Sequence, residues 1–142
     1  MAELKSSFEV VDRDINHLTP KMKKVALAIL RVIKIYNLPF RLYETRRSQE
    51  RQDRLYQTGF SKVKFSNHQT GNAADFVYWD GKNWSWKYDD FYVHEAWVVL
   101  GFLVRHHVVR EFAKCGINIR WGGPDGPGDT FNWDWPHWEV IT

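Results

Sequence analysis

One cysteine, Cys115, in 142 residues rules out an internal disulfide, so the fold does not depend on an oxidising compartment. Cys115 itself reads as a small apolar residue buried near a helix end. No stretch has the length and apolarity of a membrane span. The first residues, MAELKSSFEVVDRD, lack the apolar segment of a secretory signal, which predicts folding in the cytoplasm. Repeats, low-complexity tracts and linkers are also missing, and the length suits a single domain over 1–142. Charge of one sign is scarce. The formal net charge is +3, and the densest basic runs are KMKK at 21–24 and RRSQERQDR at 46–54. That is too little for a nucleic-acid-binding surface, although it favours anionic surfaces such as cell walls.

Aromatic residues are abundant: 16% of the chain, with eight tryptophans. Such content predicts rings both in the core and along a groove. Residues 18–38 read as a helix with Thr19 as N-cap and Pro20 at the first helical position. Met22, Val25, Ile29, Val32, Ile33 and Tyr36 would form its buried stripe. FRLYET (40–45) reads as a strand, and RSQERQDRLYQTG (47–59) as a helix capped by Ser48 and stopped by Gly59. AADFVYW (73–79) reads as a strand, and WDGKNWSWKYDD (79–90) carries a hairpin-like Asp80-Gly81 turn. A long apolar helix over 89–116, ending at Gly116, precedes the strand INIRW, a turn-rich loop and the terminal strand PHWEVIT. Without a regular βαβ rhythm, these elements predict an α+β fold: a small, mostly antiparallel sheet flanked by helices.

Two stretches carry metal-binding residue types. SNHQTGNAAD (66–75) contains His68 and Asp75, and DWPHWE (134–139) contains His137. Two imidazoles and one carboxylate leave a fourth zinc position open, as catalytic sites do, whereas one cysteine cannot build a thiolate-rich structural site. The small residues Gly71, Ala73 and Ala74 would let the chain pass close to the metal. The other histidines read as ordinary. His17 is expected at the surface, and His94, His106 and His107 fall on the apolar helix. Asp125 and Asp129 read as turn formers, with a second cation such as calcium as the alternative.

The same stretches resemble the zinc D-alanyl-D-alanine carboxypeptidase and L-alanyl-D-glutamate endopeptidase family. Ser66, His68, Gly71, Ala73 and Asp75 fit its Ser-x-His-x-x-Gly-x-Ala-x-Asp motif. WGG (121–123) followed by DWPHWE is similar to its C-terminal blocks, and 47–59 to its Arg-Ser-x-x-x-Gln-x-x-Leu-Tyr-x-x-Gly helix. The likeness spans roughly 40–141, closest in form to single-domain phage endolysins. It implies a hedgehog/DD-peptidase-like zinc peptidase fold with one Zn2+ per chain on His68, Asp75 and His137. It also implies Asp134 as catalytic acid/base and Arg47 as the group that steadies a developing oxyanion. Ser66 would be a supporting hydrogen-bond donor, and Gln52 a brace for the helix.

Where the family often has an aromatic or glycine pair before the arginine, this chain has Thr45-Arg46. The residues leave open whether Arg46 or Arg47 faces the cleft, though the following serine favours Arg47. Glu139 rivals Asp134 as the base; as the lesser candidate it would orient a ligand histidine. Trp121, Trp133, Trp135 and Trp138 cluster near the motif, either in the core or as an apolar wall of the substrate cleft. The implied activity is hydrolysis of peptidoglycan stem peptides, at the L-alanyl-D-glutamate bond, by a monomeric phage or prophage endolysin. Such an enzyme would leave the host bacterial cytoplasm through a holin-type pore, without membrane insertion. The alternatives are D-alanyl-D-alanine carboxypeptidase or dipeptidase activity, and a catalytically silent wall-binding module.

Overall fold

The computed structural model describes residues 11–87, 93–123, 129–130 and 134–141. Helix α1 (Pro20–Ile35) starts where the Thr19 hydroxyl accepts the Met22 N–H. It buries Met22, Val25, Ala26, Ile29, Val32 and Ile33. Tyr36 departs from the expected stripe. It is the C-cap and exposed, and its hydroxyl lies 2.8 Å from His107 Nε2. Strand β1 (Phe40–Glu44) leads to α2 (Gln49–Gln57), capped by Ser48 as expected. Gly59 ends the segment with φ +83°, which costs glycine little.

Strands β2 (Ala73–Trp79) and β3 (Trp84–Ser85) form a hairpin; Asp80 Oδ1 accepts the N–H groups of Lys82 and Asn83 in its turn. Helix α3 (His94–Val104) runs through a π-helical stretch, Arg105–Val109, into α4 (Arg110–Lys114). It closes with Gly116 N–H on Ala113 O and Ile117 N–H on Phe112 O, a Schellman end with Gly116 at φ +81°. Cys115 caps this terminus and is exposed, contrary to the buried position expected; α4, which ends beside it, fully buries none of its residues.

Strands β4 (Asn118–Trp121), β5 (Asp129–Thr130) and β6 (His137–Ile141) complete a six-stranded sheet of order β1-β2-β6-β4-β5, with β3 on β2. All pairings are antiparallel except β4 with β5, so the expected α+β architecture holds. Alternation along the strands divides the sheet. Ala74, Phe76, Trp138, Val140, Ile119 and Trp121 belong to the core shared with α1 and α3. Asp75, His137 and Glu139 therefore lie on the opposite face. The rings of Trp121 and Trp138 stack at 5.0 Å, and a Cβ at Gly101 of α3 would overlap the Trp121 ring.

Candidate metal centre

Strand register assembles the centre. Asp75 on β2 pairs directly with His137 on β6 and, across β1, with Glu44. The β1–β2 register shifts between Leu42 and Glu44, so Glu44 takes the place opposite Asp75 that Tyr43 would otherwise hold. Such a bulge re-aims a side chain, and here it turns a carboxylate toward the site. His68 arrives from the loop before β2. Its carbonyl accepts the N–H groups of Arg47 and Gly71, and the Ser66 hydroxyl oxygen accepts the His68 N–H. In this contact the Ser66 hydroxyl oxygen accepts, and it holds the loop that carries His68. Gly71 is needed for a different reason from the one its spacing suggested. Its φ is +81°, and a Cβ there would come 3.0 Å from His17 O and 3.2 Å from Thr19 N. The close approach is to the entry of α1, not to a metal.

His68 Nε2, Asp75 Oδ1 and His137 Nδ1 converge, all three residues buried. Their separations are 3.1 Å (His68–Asp75), 3.2 Å (His68–His137) and 3.4 Å (His137–Asp75). A tetrahedron with donors about 2.0–2.1 Å from its centre has edges of about 3.3–3.4 Å, so the donor set fits a single metal ion. The outer ring nitrogens agree. His68 Nδ1 donates to Thr45 O at 2.7 Å, and His137 Nε2 to Glu139 Oε1 at 2.6 Å. Both inner nitrogens then present lone pairs, as ligand histidines do. Two lone pairs and a carboxylate this close call for positive charge between them.

The electrostatics express the same demand. Burial works against charging His137, but bonds to Asp75 and Glu139 and the nearby Asp134 charge outweigh it, pushing its pKa up to about 10. Burial opposes ionising Asp75, yet the His68 charge and bonds to both histidines hold it well below the usual carboxylate range. Asp134 behaves oppositely: burial, reinforced by the charge on Asp75, raises it to about 6. Its Oδ2 lies 3.9 Å from His137 Nδ1, beside the centre. The Asp134 N–H donates to Gly122 O, whose own N–H donates to His137 O, so one short link holds both residues.

Arg47, not Arg46, enters the site: Arg46 is exposed, whereas Arg47 Nη2 lies 3.7 Å from Asp75 Oδ2. Arg47 also donates to Glu44 from Nε and Nη2, and from Nη1 to Gln52 Oε1. Gln52 in turn donates to Ser61 Oγ and Val63 O, so it braces both arginine and loop. Glu44 also accepts from Arg51 Nε at 2.6 Å.

No family model and no curated protein matches the chain. Among solved structures, it is similar to the Serratia marcescens L-Ala D-Glu endopeptidase ChiX, at 26% identity over 93% of this chain and 89% of that one, with a TM-score of 0.62. The chain shares the fold of that L-Ala D-Glu endopeptidase. The likeness read from its motifs therefore extends to the whole architecture. The LdcB LD-carboxypeptidase aligns at 18% identity over 93% of this chain and 72% of that one, with a TM-score of 0.49.

In this endopeptidase fold the centre opens into a cleft of about 440 Å³. Arg47, His68, Asp134 and His137 lie along it, with Val63 and Phe65 from the segment after α2. Trp121, Trp135 and Trp138 do not wall the cleft. Trp121 and Trp138 stack in the core, and half-buried Trp135 packs edge-on to Trp121 and accepts its indole N–H through its carbonyl. They lie on the apolar side of the sheet, where β4 and β6 pair. Trp133 and Asp125 fall outside the described residues, and the Asp129 backbone runs in β5, not in a turn. His17, His94, His106 and His107 stay outside the donor cluster.

Sequence reading missed Glu44, Arg51 and Arg120. Arg120 on β4 pairs with Glu139 in register, and its Nη1 lies 3.4 Å from Glu139 Oε2. The alternation of INIRW, which sets Ile119 and Trp121 inward and Arg120 between them, was the available signal.

Proposed function

We propose that the chain is a zinc peptidase hydrolysing an amide bond in peptidoglycan stem peptides, at the L-alanyl-D-glutamate linkage. The observation that carries this reading is the donor triangle of His68, Asp75 and His137, each histidine fixed from behind, at the mouth of a cleft in an endopeptidase fold. When bound, zinc supplies Lewis-acid activation of a water molecule and of the scissile carbonyl.

The residues do the rest. Asp134, poised near pH 6 beside the centre, accepts the proton of the attacking water and passes it to the leaving amine nitrogen as the C–N bond breaks. Arg47, held by Glu44 and Gln52, stabilises negative charge as it develops on the carbonyl oxygen. Glu139 keeps the His137 tautomer that offers Nδ1 to the metal. A monomeric phage or prophage endolysin suits these features. It would reach the wall through a holin-type pore, its net charge of +3 favouring the anionic polymer.

Digestion of purified peptidoglycan, followed by mass spectrometry of the new termini, tests the reading. New C-terminal L-alanine and N-terminal D-glutamate are expected; release of free D-alanine would rule out this bond. Wall lysis undiminished by Asp134→Ala would overturn the assigned acid/base.

A further inference from the structure

The metal centre takes up one part of its sheet face, and β2 carries that face onward. Alternation puts Val77 and Trp79 on the same side as Asp75, and Trp79 pairs with Trp84 across the hairpin. At about 3.3 Å per residue, Trp79 lies about 13 Å along the strand from Asp75. Val77, between them, is fully buried. An aromatic cluster gathers at this end of the face. Tyr43 meets the rings of Trp84 and Trp86 edge-on, each at 5.0 Å, and Trp79 meets Trp84 at 4.9 Å. The Arg13 guanidinium lies over Tyr43 and Trp84, and that of Arg41 over Trp79. Tyr43, Trp79 and Trp84 are half-buried, whereas Trp86 is 43% exposed. Exposed apolar surface on a rigid aromatic base marks an interaction site, because a ring already held in place loses little freedom on binding.

The linkage assigned above dictates what must pass nearby. Its alanine is joined through a lactyl group to the glycan strand, so a sugar ring lies about 7 Å along the chain from the scissile carbonyl. The next sugars of the strand come within reach of the aromatic cluster. A pyranose ring presents an apolar C–H face that suits an indole, and keeps its hydroxyls at the edge, in water. The exposed basic residues Arg13, Arg41 and Lys87 surround the cluster with positive charge, which complements a polymer whose stems carry carboxylates. We infer that Trp86 is a glycan-strand subsite: a sugar near the stem's attachment point stacks on its indole, and Tyr43 and Trp84 hold that indole in place. The inference rests on the peptidase reading and extends its substrate from the stem peptide to the strand that bears it.

Two measurements on the zinc-loaded full chain test it. Calorimetric titration with glycan oligomers stripped of their stems reads the subsite apart from hydrolysis. Binding is expected, about tenfold weaker in Trp86→Ala and partly retained in Trp86→Phe. Kinetics compares a stem peptide carried on a glycan oligomer with the same peptide free of sugar. Wild type should favour the glycan-borne peptide in kcat/KM by about tenfold, chiefly through KM, and Trp86→Ala should bring that ratio toward one. Failure of wild type to bind the stripped glycan, or a wild-type ratio near one, overturns the inference and leaves the peptidase reading in place. Glycan binding that Trp86→Ala leaves unchanged overturns it as well. If Trp86 merely supports the hairpin, its replacement lowers kcat/KM for both substrates in the same proportion and keeps the ratio, which also overturns the inference. Stripped glycan bound through Trp86, with neither substrate cleaved, would support the subsite and remove the peptidase reading.

Discussion

Replacing Glu44 with glutamine should be among the most damaging single changes in the molecule. Glu44 is 1% exposed, and its two oxygens accept from Arg47 and Arg51, whose side chains are 9% and 10% exposed. With all three partners this dry, screening by water does little, and the rule for surface pairs does not apply. Burial alone would raise the Glu44 pKa, but bonds from Arg51 and Arg47 outweigh it and hold the group below the ordinary carboxylate range. Removing the charge takes away the anion that both buried guanidinium groups share, and Arg47 keeps a longer contact, 3.7 Å, to Asp75 Oδ2. Breaking such a pair costs about 3–5 kcal/mol. A domain of this size has about 5–15 kcal/mol in all. At roughly 2–4 °C per kcal/mol, Tm should fall by about 6–20 °C. Urea unfolding of wild type, Glu44→Gln, Arg51→Met and the double variant measures it. The double variant should cost less than the sum of the singles, by about 0.5–3 kcal/mol, because Arg51→Met removes one of the two cations that share Glu44. The pH dependence has a definite sign. A lowered native pKa stabilises above the unfolded value of about 4.3 and is lost below it, so the gap between wild type and Glu44→Gln should narrow in acid. A loss under about 1 kcal/mol, or strict additivity in the cycle, would refute the account of Glu44 as the buried anchor of both arginines.

Other outcomes follow from the same geometry. Asp134→Asn should lower kcat by about 10²–10⁴-fold while bound zinc, measured by atomic absorption, stays near one per chain. Since Asp134 must be ionised to act and sits near 6 without metal, the wild-type acid limb of kcat/KM should lie at or below pH 6 and vanish in this variant. Glu139→Gln removes the charged acceptor behind His137, so zinc affinity in a chelator competition should weaken by about 10–100-fold. Gly71→Ala should cost about 1–3 kcal/mol in urea unfolding, because φ +81° and the neighbouring His17 carbonyl both oppose a side chain.

Much of this was legible in the residues, for identifiable reasons. Thr19-Pro20 and Ser48 mark helix starts because capping is a local interaction, complete within three residues. The donors His68, Asp75 and His137 stood out by type, and strand pairing of Asp75 with His137 brings them together. What stayed hidden is what depends on register. Nothing in FRLYET reveals the bulge that turns Glu44 toward Asp75. The tryptophans were ambiguous because strands β4 and β6 have two faces, and composition cannot say which one the rings occupy. Gly71 was noticed, but its neighbour across 54 positions, His17, was invisible to spacing.

The slot that Gly101 leaves for the Trp121 indole reaches further than packing. Gly122, next along from that ring, accepts the Asp134 amide and donates to the His137 carbonyl. Asp134 and His137 are thus yoked to one backbone unit, and that unit leans on the far side of the molecule. A methyl group added on α3, facing away from the cleft, would shove both partners at once. In the proposed peptidase, reactivity would be throttled from the rear, by a residue outside the cleft.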